Sequence, residues 1–269
     1  MNNAATNQSN AQYSLAKILG IWLLAAVPMG VLGWIVAPAL SPDITEDPIG
    51  AVVTRVEVLT IGLIWEFVLS MIIVRREEGN LRWSTIRDRL WLNKPRDPRT
   101  GQPHSLLWLW VVPLLVLVAL SDVVLAPTLD HLWVSWVPFF AEPAGFGLGS
   151  ALESPEIQAQ LVGAWGVLGL FFVNSVFNTI LGEEFLFRGV LLPKMGGVFG
   201  KWDWLANGVL MGAYHFHQPW GILTAMIDGA FLFALPSKRF RSTWMAVIVH
   251  SGQTLFFMFL MLGLILGLA

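Results

Sequence analysis

The sequence predicts an all-α, polytopic integral membrane helix bundle of about seven transmembrane spans, with a short interfacial amphipathic helix. Three observations predict it. Of the 269 residues, 55% are hydrophobic and only 13% charged, with a mean hydropathy of +0.65; a soluble domain carries roughly 25% charged residues. The apolar residues fall in blocks of roughly twenty, the length that crosses a hydrocarbon core. Lys and Arg gather in alternate loops, as the positive-inside bias requires.

The blocks place spans at 16–37, 57–74, 105–126, 157–190, 203–218, 220–236 and 242–266. Between the second and third spans stand Arg75, Arg76, Arg82, Arg87, Arg89, Lys94, Arg96 and Arg99, half of the 16 basic residues. Lys194 and Lys201 follow in a later loop, and Lys238, Arg239 and Arg241 in the next. The opposite loops carry Asp43, Glu46 and Asp47, then Asp130, Glu142, Glu153 and Glu156. This distribution puts the amino terminus in the cytoplasm and the carboxyl terminus outside. The expected location is a prokaryotic cell membrane, crossed several times. The first block reads as a retained span, because no Lys or Arg precedes Lys17 and the block exceeds a signal-peptide core in length.

In "LRWSTIRDRLWL", Trp83, Ile86 and Leu90 share a helical face, with Arg82 and Arg89 elsewhere, so this helix is expected to lie in the membrane interface. One membrane domain is expected overall. Residues 1–156 form its N-terminal spans with the basic loop 75–104, and residues 157–269 form the part that carries chemistry. The chain has no cysteine, which excludes disulfides, thiolate metal sites and a cysteine nucleophile. No basic stripe with interleaved aromatics points to a nucleic acid partner.

Ionisable residues at bilayer depth are costly and usually face a protein interior or a cavity. "GEEFLFRGVL" holds three of them. At 100° per residue, Glu184 and Arg188 share one face in the favourable acid-before-base order, whereas Glu183 points about 100° away. Glu184 is therefore read as the structural partner of Arg188, and Glu183 as needing a partner from another helix. "DWLANGVLMGAYHFHQPWG" aligns Asp203, Asn207, Met211 and His215 along one face, with His217 turned away. "VIVHSGQTLFF" places His250 and Thr254 one turn apart. Helical rise puts Glu183, His215 and His250 about 16, 21 and 14 Å from the nearest basic loop residue, so all three reach similar depth. Glu66 and Asp228 are single acids inside spans, read as packing or local hydrogen bonding.

These residues resemble a known family. "EEFLFR" is similar to the EExxxR motif of the CAAX-prenyl-protease and bacteriocin-processing (CPBP, abortive-infection) family of intramembrane proteases. "MGAYH" matches its FxxxH motif with Met211 in place of Phe, and "HSGQT" its HxxxN/D motif with Thr254 at the last position. The resemblance implies an endopeptidase that cleaves a membrane-anchored peptide or protein, such as a prenylated CAAX-like substrate, inside the lipid bilayer. By carry-over Glu183 is the general base, His215 helps it hold the attacking water, and His250 and Thr254 receive the oxyanion. Glu184 and Arg188 give structural support.

A raised carboxyl pKa in an apolar cavity suits a general base, and donors on another helix suit an oxyanion. Glu183, His215 and His250 also make a zinc triad of hydrolytic type, but no cofactor is the favoured reading. Two other functions compete. One is a non-proteolytic scaffold or bacteriocin self-immunity factor on the same fold. The other is a proton-coupled transporter, which predicts inverted repeats that the sequence does not show.

Overall fold

Long apolar blocks give helices throughout the computed structural model, which describes residues 11–143, 146 and 154–268. Six helices are long and apolar enough to cross a membrane. They are α1 (Leu15–Leu40), α2 (Pro48–Glu78), α4 (Ser105–Trp136), α6 (Trp165–Lys194), α8 (Pro219–Phe240) and α9 (Trp244–Ile265). Between them lie the shorter α3 (Trp83–Arg89), α5 (Pro155–Leu161) and α7 (Asp203–Tyr214). Helix ends follow local chemistry. Asp47 caps α2 by accepting from the Gly50 N–H at 2.8 Å, and Gly79 ends it at φ +75° with Arg75 and Arg76 in the last turn.

Three expectations need correction. The span read at 203–218 is only the 12-residue α7 and a 3₁₀ turn, His215–His217, stopped by Pro219. It still runs from one side of the bundle to the other. Asp203 pairs with Lys238 at its start, and beyond its end Trp133 Nε1 donates to the Pro219 carbonyl at 2.8 Å. The long block at 157–190 is split, because Gly163 at φ +79° separates α5 from α6. Near the end of α3, Arg89, expected away from the apolar face, turns inward together with Leu90, while Trp83 stays exposed. Arg89 is buried because its donors are all used, on Glu77, the Tyr13 hydroxyl and the carbonyls of Gly189 and Val190. Glu153, counted in the acidic loop, lies outside the described residues.

The other mid-span acids resolve differently. Asp228 accepts from the Ser121 hydroxyl at 2.7 Å, joining α8 to α4, as local hydrogen bonding requires. Asp122 accepts from Gln253 and joins α4 to α9. Arg55, inside α2, donates to the Gly33 carbonyl of α1 and the His217 carbonyl, both at 2.8 Å. That buried guanidinium fixes the turn after α7 to the first two spans.

Close approach of α7 to α8 sets where the chemistry sits. Gly208 and Gly212, one turn apart, face α8 so tightly that a Cβ on Gly208 would enter the Ala230 backbone, and one on Gly212 would lie 2.7 Å from the Met226 nitrogen. Small residues at this spacing are how membrane helices pack closely. Gly208→Ala should therefore cost about 1–3 kcal/mol by overpacking. Thermal unfolding in detergent checks this, with Gly20→Ala, which meets nothing within 4 Å, as the neutral comparison. Equal midpoints for the two variants would contradict the contact.

Candidate active site

α6 is not a regular α-helix where its charges lie. From Phe177 to Gly182 and from Glu184 to Leu191 it is wound as π-helix, with i→i+5 hydrogen bonding. Such winding is rare and concentrates at functional sites. It brings together side chains five residues apart. With its amide nitrogen turned toward the acid, Asn178 donates to Glu183 Oε1 at 3.0 Å and Oε2 at 3.3 Å. Glu183 thus has a partner on its own helix, which an α-helical spacing of 100° per residue does not provide. Asn174, by contrast, points to α2 and donates to the Thr60 hydroxyl at 2.9 Å.

The stripe along α7 meets α6 at every turn. Asn207 Nδ2 donates to the Phe187 carbonyl at 2.8 Å, and the Met211 sulfur accepts from Arg188 Nη1 at 2.6 Å. His215 Nε2 stands 3.8 Å from Glu183 Oε1. Its Nδ1 lies 2.9 Å from the Met211 carbonyl, which can only accept, so Nδ1 carries the hydrogen and Nε2 faces the carboxylate. A gap of 3.8 Å is too long for a direct hydrogen bond and within the span of one bridging water. His215 is 22% exposed at its side chain and Glu183 only 4%, so access to the pair is from the histidine side. His217 is buried, with its ring stacked 5.5 Å from that of His215, and packs against the pair without entering it.

Arg188 and Glu184 are both fully buried and 3.3 Å apart, the i,i+4 pair expected from the sequence. Arg188 Nη2 also donates to the Gly229 carbonyl of α8 at 3.0 Å. Glu184, however, is more than a structural partner. Its Oε1 lies 3.0 Å from His250 Nδ1, and the His250 ring stacks on Phe233 at 4.7 Å. A carboxylate beside Nδ1 fixes the tautomer of His250 and aims its Nε2. The two histidines are thus divided between the two glutamates.

Thr254 is placed less favourably than its motif implies. Its hydroxyl donates to the His250 carbonyl one turn back, at 3.4 Å. Glu66, expected from the sequence to pack or hydrogen-bond locally, does not make the hydrogen bonds. Glu66 of α2 is fully buried and neither oxygen has a hydrogen-bond partner, although the Tyr214 hydroxyl and Glu183 are its electrostatic neighbours. Gly182 lets α2 approach here, since a Cβ on it would lie 2.8 Å from the Leu63 carbonyl. The residue type of Glu66 was the only signal, and no motif spacing accompanied it.

The three motifs therefore converge in one cluster built from α6, α7 and α9. Residues 164–256 match the family model described as Rce1-like, Type II CAAX prenyl endopeptidase. That range contains Glu183 to Arg188, Met211 to His215 and His250 to Thr254, so the family resemblance holds over all three motifs. At the family level the Rce1-like match is to a protease, in a chain whose apolar helices make it a multi-pass membrane protein. The helices α1 to α4 lie outside the matched residues. No curated protein and no solved structure matches the chain.

Zinc would require Glu183, His215 and His250 to converge on one point. Among the described residues no group of three or more His, Asp or Glu has that geometry. Each histidine holds Nδ1 on the protein, His250 on Glu184 and His215 on the Met211 carbonyl, and keeps Nε2 as its remaining ligand atom.

The pairing predicts a specific phenotype. Glu184→Gln leaves Arg188 buried without its carboxylate, which should cost about 3–5 kcal/mol of stability. It also releases His250, so activity per folded molecule should fall. Thermal unfolding and specific activity, measured on one preparation, separate the two effects. A variant that is unstable yet fully active when folded would make Glu184 structural alone.

Proposed function

We propose that this protein is an intramembrane endopeptidase that hydrolyses a peptide bond in a membrane-anchored substrate, using Glu183 and His215 to activate water. The observation that carries this reading is the buried Glu183 carboxylate facing His215 Nε2 across two helices at 3.8 Å, while Asn178 holds it from behind. Glu183 takes the proton from a water held between the two and returns it to the departing amine. His215 orients that water through Nε2.

His250 receives the charge that develops on the carbonyl oxygen. With Nδ1 held on Glu184, the ring presents to the site its Nε2, which donates to an oxyanion when both ring nitrogens carry hydrogen. Thr254 is the second donor. Its 3.4 Å bond to the backbone is long, so a hydroxyl rotation toward an oxyanion loses little. No metal takes part in this scheme.

An apolar groove of about 380 Å³, reached from the site through Phe216, the residue after His215 in the chain, suits a lipid-modified end of the substrate. It lies between α1 and Phe216, with Trp22, Val27, Gly30 and Trp34 along its length. Residues 1–156 and 157–269 are read as one membrane domain with its amino terminus in the cytoplasm.

Peptide release from a membrane-tethered substrate by purified protein tests the activity directly. Glu183→Gln should lower turnover about 10²–10⁴-fold while the protein stays folded. Added chelator should leave the parent rate unchanged. Loss of activity to chelator and its return with zinc would replace this mechanism by a metal-dependent one.

Thr254 also separates the enzyme from its rival, a non-catalytic scaffold or immunity factor, because the hydroxyl stands where the motif has an amide or acid. Thr254→Val should reduce turnover about 10²–10³-fold if the hydroxyl is an oxyanion donor, and Thr254→Asn should retain activity. A parent that cleaves nothing, beside an active Thr254→Asn, would assign the scaffold role.

A further inference from the structure

The end of the bundle that carries the charged loops holds a second feature, made of residues the proposed chemistry does not use. A cavity of about 600 Å³ is lined by Arg96, Arg99, Lys201, Lys238, Arg239 and Arg241. They come from three separate segments: the loop after α3, the turn before α7 and the last turn of α8. Positive-inside bias accounts for cations in each loop but not for their convergence on one hollow.

The acids nearby are already committed. Asp97, the one carboxylate lining the cavity, accepts from the backbone N–H groups of Arg99 at 2.7 Å and Thr100 at 3.1 Å. Those donors hold its carboxyl below the usual range, so it stays ionised and occupied. Asp203 pairs with Lys238. Lys201, Arg239 and Arg241 form no ion pair among the described residues, and Arg99 meets Asp97 only as an electrostatic neighbour. Like charges gathered this way repel each other unless an anion joins them.

The hollow is also preformed. The Arg96 N–H donates to the Phe240 carbonyl at 2.8 Å, fastening the loop to the end of α8, and Arg96 bridges to Pro103 across the loop. Arg241 adopts φ +47°, ψ +46°, a left-handed conformation uncommon for any residue but glycine. Helix ends of this kind favour glycine. Here the backbone strain is retained with a guanidinium that lines the cavity. Trp204 and Leu235 give the same cavity an apolar wall. Its place at the final turn of α8 is the level of lipid headgroups.

We propose that this cavity binds the phosphate of an anionic phospholipid from the leaflet the basic loops face, with the upper acyl chain against Trp204 and Leu235. Phosphate answers the unpaired cations, and only a lipid also answers the apolar wall at that depth. This inference is independent of the proteolytic reading.

The test uses the full-length purified protein, with binding measured for phosphatidylglycerol, phosphatidylcholine and inorganic phosphate by native mass spectrometry and thermal shift. Phosphatidylglycerol should bind at least about tenfold more tightly than phosphatidylcholine. Arg239→Gln/Arg241→Gln should lose about tenfold of that affinity, while Arg75→Gln/Arg76→Gln, the same charge change on α2 away from the cavity, should lose less than about twofold. Arg241→Gly removes the cation but suits the backbone. Its thermal midpoint in neutral lipid should match or exceed the parent's while phosphatidylglycerol binding falls.

Equal loss in the two double variants would assign the effect to diffuse surface charge and overturn the site. Inorganic phosphate binding as tightly as phosphatidylglycerol would identify a free anion instead of a lipid. Displacement of phosphatidylglycerol by an acidic peptide that binds more tightly would identify a polypeptide ligand, and would equally overturn the proposal.

Discussion

Arg188 is a full positive charge with no exposure to solvent, about two turns from the end of a helix long and apolar enough to cross a membrane. Taking such a group out of water costs several kcal/mol after relaxation, and the cost is offset only by well-placed partners. Its partners come from three elements: Glu184 one turn back on α6, the Met211 sulfur on α7 and the Gly229 carbonyl on α8. Satisfying Arg188 therefore brings three helices to one level. Glu184 is left with a second contact to give, and gives it to His250 on α9. The two histidines take their positions from this one buried cation and its carboxylate.

Much of that arrangement was legible in the sequence. The spacing separated the directions of Glu183 and Glu184, and the stripe from Asn207 to His215 identified the face of α7 that meets α6. What was not legible follows from the winding of α6. Periodicity arguments assume 3.6 residues per turn, and the π-wound stretch departs from it where the charges lie. At that pitch Asn178 would point about 140° away from Glu183, whereas i→i+5 geometry turns it to Glu183. The contact between Glu184 and His250 joins residues 66 positions apart, and no local pattern encodes it.

The two departures from the family's motifs have different physical weight. Met211 accepts a hydrogen bond from Arg188 through sulfur, so the substituted residue has a definite role in holding the cation. Methionine is flexible and polarisable, which lets it fill that position without a fixed ring geometry. Thr254 has a shorter side chain than asparagine and satisfies itself on its own helix. The first residue holds the buried cation, and the second bonds only within its own helix.

Arg55 gives the N-terminal spans a part in this chemistry that the family match does not cover. Its guanidinium clamps the Gly33 carbonyl of α1 to the His217 carbonyl, two residues beyond His215. The turn bearing His215 is thus suspended from outside the motif-bearing helices. Any slide of α1 along α2 is transmitted to the imidazole at His215. The first two spans are in this sense a mount for the histidine. Their sequence is free to vary in its lipid-facing residues, but their register against α7 is not.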